Sequence, residues 1–488
     1  MQQENTRRKL IMIENFWDFN AWGSINLIAV LMLALLGANV LKRRVKFIKH
    51  SLIPTSVLAG LMLLIASTTY EHFTDKNLFD TFVFAGKGLN SLEFITYHAL
   101  ALGFIASTLA SDKVKFNKKR TGEIFDTGVT TVATYLLQGT LGMGITIAIA
   151  YLAKDSIFPA AGLILPFGFG QGTGQAMNWG MIYESDYGFE GGKSFGLTIA
   201  AVGFLCASLG GVLHLNILKW TGKLKKEIGA DSDEPMEQVE EKGEIPMNGT
   251  IDKLTVQVAF VLATYIAAYL LMYALGELIP GMKSIIYGFN FLLGVLAATI
   301  VKNVMSFLRK KNIVTRKYRN SFLLNHISNM CFDIMIVAGI AAIRIDVVKE
   351  YWYILIILGV AGFFSTYFYN FFVAKKFFPE YSAEQFMCMY GMLTGTASTG
   401  VMLLRELDPM YKTDAKDNLI YQNFPAIVFG FPLMLLANLA PVKPELTLLI
   451  LFLFFITMNI ILFRRQIFKR RKTKEKAEIM QTKLDKTA

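Results

Sequence analysis

Apolar runs close to the roughly 20 residues that a bilayer-crossing helix needs recur along nearly the whole chain. They occupy residues 22–41, 52–69, 94–110, 129–153, 195–215, 254–275, 285–301, 327–343, 353–374, 419–440 and 446–463, and they predict eleven membrane-spanning helices. Two further apolar stretches break the pattern. Residues 158–180 read FPAAGLILPFGFGQGTGQAMNWG and residues 385–405 read QFMCMYGMLTGTASTGVMLLR. Each is apolar enough to enter a bilayer, yet each has a centre of Gly, Ser, Thr or Gln that would spoil a lipid-facing helix. Lipid offers no partner to an unpaired backbone group, so irregular backbone at membrane depth survives only where it lines a cavity inside protein. Both stretches are therefore expected to be re-entrant hairpins. Interrupted segments at matching places in two halves of a chain point to a transporter's binding site.

Charge placement orients these elements. Lys and Arg collect in KRRVKFIKH (42–50), SDKVKFNKKR (111–120), LRKKNIVTRKYR (308–319) and RRQIFKRRKTK (464–474), whereas 70–93, 276–284 and 344–352 show no such enrichment. Cytoplasmic loops carry the Lys/Arg excess, so the net charge of +12 is a topology signal and no argument for nucleic acid. The first span, 22–41, lacks the short apolar core and small-residue cleavage site of a signal peptide and is expected to be retained. Alternation then starts the chain outside and puts the base of the first hairpin outside. The polar stretch containing KKEIGADSDEPMEQVEEKGEIP becomes a solvated cytoplasmic linker. The second half starts inside, so its hairpin has its base inside and the two halves are inverted. Register agrees: Trp22 to Asp252 is 230 positions and Gly172 to Gly395 is 223.

The expected fold is an all-α polytopic membrane protein. It has two inverted-topology repeats of five transmembrane helices, each with a re-entrant hairpin, plus an extra C-terminal helix. The divisions are an N-terminal segment (1–21), a first repeat (22–218, hairpin 158–180), a cytoplasmic linker (219–251), a second repeat (252–440, hairpin 385–405), and an extra helix with a basic cytoplasmic tail (441–488).

The chemistry concentrates at the hairpin tips. The first offers Gly170, Gln171, Gly172, Thr173, Gly174 and Gln175, and the second Thr394, Gly395, Thr396, Ser398, Thr399 and Gly400. Glycine lets backbone turn sharply and approach a ligand closely. A half-helix N-terminus favours an anionic carboxylate, and exposed carbonyls can hold Na⁺. The competing reading of either stretch alone is close helix packing through small residues; their inverted pairing favours a site. Asp333, with Asn329 and Ser328 beside it, is a Na⁺ ligand set, since hard cations prefer oxygen, or else Asp333 pairs with a base near its helix end. His98 is either a proton or substrate contact or a packed polar residue. Arg405 either reaches a substrate carboxylate or pairs locally with Glu406 and Asp408. Cys206, Cys331 and Cys388 lie in apolar segments without metal-ligand spacing and read as small buried hydrophobes. The sequence has no His-Glu-x-x-His, serine-nucleophile or phosphate-loop motif, so it is not expected to be an enzyme and needs no cofactor. A channel filter would arise from symmetric loops around a pore, whereas opposed hairpins imply a gated site.

GFGQGTGQAMNWG (168–180), GMLTGTASTG (391–400) and IPTSVLAG (53–60) resemble the corresponding segments of the bacterial sodium/glutamate symporter family, over residues of about 15 to 440. The resemblance implies a homodimer of two inverted five-span repeats in a bacterial inner membrane, with a hairpin-bearing domain that moves against a dimerisation scaffold. It also implies Na⁺-coupled symport of a small anionic solute such as glutamate. The chain departs from the family pattern where Gln171 stands in the place of a His, where Ala397-Ser398-Thr399 replaces Thr-Pro-Thr, and in its extra C-terminal span. A Na⁺-coupled hydroxycarboxylate carrier of citrate or malate type is the alternative with the same architecture.

The Lys/Arg distribution predicts that the linker around 231–241 and the tail beyond Arg464 share the cytoplasmic side. Single cysteines at Ser232 and Lys474 should react with a membrane-impermeant maleimide only after the membrane is opened. Labelling of Lys474→Cys in intact cells would reverse the orientation.

Overall fold

The computed structural model describes residues 17, 19–111, 118–152, 157–222, 251–288, 290–314, 316–409 and 412–484, without the side chains of 20, 281, 284, 285, 347, 424 and 465–484. Most of the N-terminal segment and of the linker, and part of the basic loop 111–120, lie outside the described residues. Among those described, every regular element is a helix. In chain order these are α1 (Phe19–Arg44), α2 (Thr55–Thr74), α3 (Gly88–Ala110), α4 (Lys118–Leu152), α5 (Ile164–Gln171), α6 (Thr173–Tyr187), α7 (Gly192–Trp220) and α8 (Lys253–Leu278). There follow α9 (Asn290–Lys310), α10 (Ser321–Ala341), α11 (Ile345–Phe377), α12 (Ser382–Thr394), α13 (Ala397–Leu407), α14 (Ala415–Tyr421), α15 (Asn423–Leu439) and α16 (Pro444–Leu484), with single helical turns between some of them.

Nine of the described helices are long and apolar enough to cross a membrane, and α14 with α15, meeting at a bend of 50°, make a tenth if the bent pair is one span. These are the helices of a multi-pass membrane protein. The run 52–69 differs from expectation: it forms α2, which is not among these nine, and α2 extends through the polar Tyr70, Glu71 and His72. Large apolar side chains such as Ile25, Leu33 and Leu36 on α1, and Leu262, Ile266 and Leu270 on α8, remain exposed, as lipid-facing positions do. Cys206, Cys331 and Cys388 are free and buried.

Both interrupted stretches double back on themselves. In the first, Phe158 stacks on Phe189 with ring centroids 4.9 Å apart, and Phe167 on Trp179 at 5.2 Å. The two pairs bracket Gly172 almost evenly, so α5 and the 3-10 turn Pro159–Leu163 run antiparallel to α6. In the second, a Cβ placed on Gly391 would lie 2.9 Å from Gly400 Cα; only glycine at both positions lets α12 and α13 approach backbone to backbone. The doubled segments extend beyond 158–180 and 385–405, reaching Tyr187 and Ser382–Leu407.

The packing falls into two groups. Helices α1, α2 and α3 pack with α8, α9 and α10, while α4 and α11 cross each other and carry the two doubled segments, α7, α14, α15 and α16. The base of the second doubled segment is tied to α4 by polar contacts. Arg120 pairs with Glu123 at 2.7 Å and Asp414 at 3.1 Å, and Tyr381 donates to Glu123 at 3.0 Å. Beside them Asp408 accepts N–H groups from Lys412 and Thr413 at 2.8 and 2.7 Å. Burial would raise this carboxyl, but these donors outweigh it and hold it below the ordinary carboxylate range. The C-terminal helix α16 lies on α4, fixed by Arg464, which bonds Asp126 at 2.8 Å and sits 4.6 Å over the Phe125 ring.

Along α4, Gly142 abuts the carbonyl of Gly162, and Thr146 donates to Pro159 O at 2.6 Å. Gly144 has open space around it. Gly142→Ala should therefore lower the melting temperature through an overpacking cost of about 1–3 kcal/mol, whereas Gly144→Ala should not. Thermal melts of the detergent-purified variants test this, and equal melting temperatures would show that the approach is not tight.

Candidate functional site

The first tip is made by one backbone conformation. Gly172 has φ +81° and ψ −172°, a region that side-chain-bearing residues rarely adopt, and it ends α5 and starts α6. Residues 164–170 and 173–180 are buried, so this turn is enclosed in protein, with Gln171 half-buried. The surroundings hold it closely. Thr173 donates to Met335 O at 3.4 Å, and Tyr135 donates to Gly170 O at 3.0 Å. A Cβ on Gly174 would lie 2.9 Å from both Met335 Sδ and Leu100 Cδ1. One turn into α6, Gln175 is buried and neither amide atom meets a hydrogen-bond partner among the described residues. Such a group is costly inside protein unless something else satisfies it.

The second tip turns without a positive φ. α12 ends at Thr394, whose hydroxyl donates to Tyr390 O at 2.6 Å. Gly395 has φ −149° and ψ −106°, Thr396 is extended with φ −141° and ψ 171°, and α13 begins at Ala397. The Thr396 and Thr399 hydroxyls are 3.3 Å apart. Thr399 is buried, Ala397 and Ser398 are exposed, and Gln138 of α4 donates to Leu393 O at 3.0 Å.

The two tips touch. A Cβ on Gly172 would sit 3.3 Å from Thr396 Cγ2 and 3.8 Å from Gly395 O. At this one place α5 and α12 end and α6 and α13 begin. The first N–H groups of a helix and its last carbonyls lack intrahelical partners, and the helix dipole makes the starts positive and the ends negative. The junction thus offers two positive half-helix starts, two negative half-helix ends and the neutral polar side chains of Thr173, Gln175, Thr396 and Thr399. That arrangement can hold an anionic group and a cation side by side without a buried formal charge.

The remaining sequence candidates lie elsewhere. Arg405 stands on the last turn of α13, about 13 Å along the helix axis from Thr396 at 1.5 Å per residue. Asn329 and Asp333 are one turn apart on α10; Asn329 is exposed, and Asp333 is half-buried beside Ser56 of α2. Ser328 turns to α3 and donates to Gly103 O at 2.8 Å. His98 faces α8, with Nδ1 2.6 Å from the Tyr265 hydroxyl. Sequence reading did not single out Tyr135, Gln138 or Met335, which brace the tips from α4 and α10. Gln138 was legible as an amide in the middle of an apolar helix; Tyr135 and Met335 carry no signal that separates them from other core residues.

In a cysteine-free background, Gly172→Cys with Thr396→Cys should form a disulfide on mild oxidation in membranes, because that bond needs Cβ atoms only about 3.5–4.5 Å apart. Gly172→Cys with Arg405→Cys should not. The reverse pattern would separate the tips. Neither the scan against protein-family models nor the search of curated proteins finds a match to this chain.

Proposed function

We propose that this chain is a Na⁺-coupled secondary active transporter of a small anionic solute, glutamate or a related amino acid, working by elevator-type alternating access as a homodimer in a bacterial inner membrane. The observation that carries the reading is the contact of Gly172 with Gly395 and Thr396. Two doubled segments far apart in sequence deliver half-helix ends to a single junction, and transporter sites are formed by discontinuous helices at a repeat interface. The apolar helices are compatible with a membrane transporter.

Packing supports two inverted repeats. Pairing α1, α2, α3, α4 and α7 with α8, α9, α10, α11 and the bent α14–α15 maps one set of neighbours onto the other. Thus α1 packs on α2 as α8 does on α9, α3 on α9 as α10 does on α2, α3 on α8 as α10 does on α1, and α7 on α11 as α15 does on α4. The pairs α3–α10 and α4–α11 map onto themselves. In this reading the group around α4 and α11 carries the solute and moves against the group around α3 and α10. The departures at Gln171 and Ala397-Ser398 from the family pattern favour keeping a hydroxycarboxylate as the second solute class.

In proteoliposomes, labelled glutamate should accumulate with a Na⁺ gradient and fail to do so when choline replaces Na⁺ at constant pH. Citrate or malate accumulation instead selects the second class, and uptake that follows a proton gradient in choline medium overturns Na⁺ coupling. Thr396→Val keeps shape and removes a hydroxyl. It should weaken solute affinity by roughly 1–3 kcal/mol, on the order of 10- to 100-fold.

A further inference from the structure

The crossing of α4 and α11 holds a polar cluster that the tips alone do not explain. Thr134 and Gln138 are one turn apart on α4, Thr366 and Asn370 one turn apart on α11, and each lies 232 positions from its counterpart. All four are buried, none more than 1% exposed. Gln138 Nε2 donates to Thr366 Oγ1 at 2.8 Å and to Leu393 O at 3.0 Å. Asn370 Nδ2 donates to Thr366 O at 2.9 Å and to Thr134 Oγ1 at 3.3 Å. Each amide nitrogen therefore uses both its hydrogens. Since each also faces a backbone carbonyl, turning either amide over would set oxygen against oxygen, so the assignment of nitrogen and oxygen is fixed by chemistry. Gln138 Oε1 and Asn370 Oδ1 remain, and neither has a hydrogen-bond partner among the described residues. Two buried amide oxygens, on side chains whose nitrogens both bond Thr366, lack donors among the described residues, which is unfavourable unless a bound group satisfies them.

We infer that this crossing is the seat of the co-transported Na⁺, held by Gln138 Oε1 and Asn370 Oδ1 together with the carbonyl end of α12. The inference rests on the Na⁺-coupled reading above and names a different place from the Asn329–Asp333 face of α10. Three features favour a cation over another hydrogen-bond donor. The open groups are all oxygens, the donor type that hard cations prefer. Leu393 lies in the last turn of α12, where unpartnered carbonyls and the negative end of the dipole converge, and half-helix C-terminal ends coordinate ions in transporters. The cluster also lies where the two proposed repeats cross, each contributing one amide and one threonine.

The neutral ligand set has a consequence for coupling. No carboxylate of the cluster balances the ion's charge. Leu393 is three residues from Thr396, so an anion at the half-helix starts of the tips would be the nearest compensating charge. Each ligand should then tighten the other by the same factor, as linkage requires.

Purified protein in nanodiscs, melted over a series of NaCl concentrations with choline chloride holding ionic strength constant, reads Na⁺ binding without transport. Wild type should gain stability with saturating dependence on Na⁺. Gln138→Leu and Asn370→Leu should raise the half-saturating Na⁺ concentration on the order of tenfold or more, while Asp333→Asn keeps the wild-type value. Should the leucine variants fail to fold, Gln138→Asn and Asn370→Gln keep the neutral amide and displace its oxygen by one methylene; they should raise the half-saturating concentration as well. A Na⁺ response in wild type that is unchanged in all four cluster variants, or one abolished by Asp333→Asn alone, overturns this placement and leaves Na⁺ coupling intact. A wild-type melt indifferent to Na⁺ overturns both.

Discussion

The constraint on which the structure turns is that a backbone group inside a bilayer must find its partner within the protein. Long helices meet it internally, but four helix ends at Gln171, Thr173, Thr394 and Ala397 do not, because the chain reverses twice in the interior. They persist because the two reversals cover each other and because α3, α4 and α10 brace them. Tyr135 takes up Gly170 O, Gln138 takes up Leu393 O, and Thr173 is satisfied on Met335 O. The bracing helices α4 and α11 must in turn come close, and the glycines at Gly142 and Gly162 let the first doubled segment lie against α4.

Most of the architecture was legible because membrane helices are written in apolar runs. The runs 22–41, 195–215, 254–275 and 327–343 coincide with α1, α7, α8 and α10, since length and hydropathy alone decide such elements. The run 52–69 was read as equal to the rest, whereas α2 is not among the nine crossing helices and continues into the polar Tyr70, Glu71 and His72. Ends are set by capping and by neighbours, which hydropathy does not carry. The doubling of 158–180 and 385–405 was legible from glycine at their centres, while their outer limits, drawn from ring stacking such as Phe158 on Phe189, were not.

The turns of the candidate site were legible as backbone, and its side chains less so. Glycine marks where a chain turns, so Gly172 and Gly395 were found. The partners that hold the turn come from helices remote in sequence, and a single amide such as Gln138 or Asn370 looks like any polar residue tolerated in a bundle. Their shared offset was readable in principle, but only the packing of α4 on α11 gives it meaning. Asp333 drew attention for the opposite reason, because a carboxylate in an apolar run is conspicuous whichever way it points, and here it lies beside Ser56.

The two tips meet, yet they are not chemically equivalent, and this bears on how one site could serve two sides of a membrane. Gly172 is required by its dihedral angles: at φ +81° a side chain would strain the turn wherever space lay. Gly395 has a negative φ of −149°, and its requirement is space. A Cβ there would come within 3.0 Å of Phe204 and of Thr399 Oγ1. The first tip is a turn fixed by its dihedral angles, buried apart from the half-buried Gln171. The second is a packed turn whose next residues, Ala397 and Ser398, are exposed. A rigid tip defines ligand geometry, and a tip held mainly by packing is the one that can separate from its neighbours. If the chain works as the transporter proposed above, the second doubled segment is the better suited to open, and its base is where the charged contacts of Arg120, Glu123 and Asp414 gather.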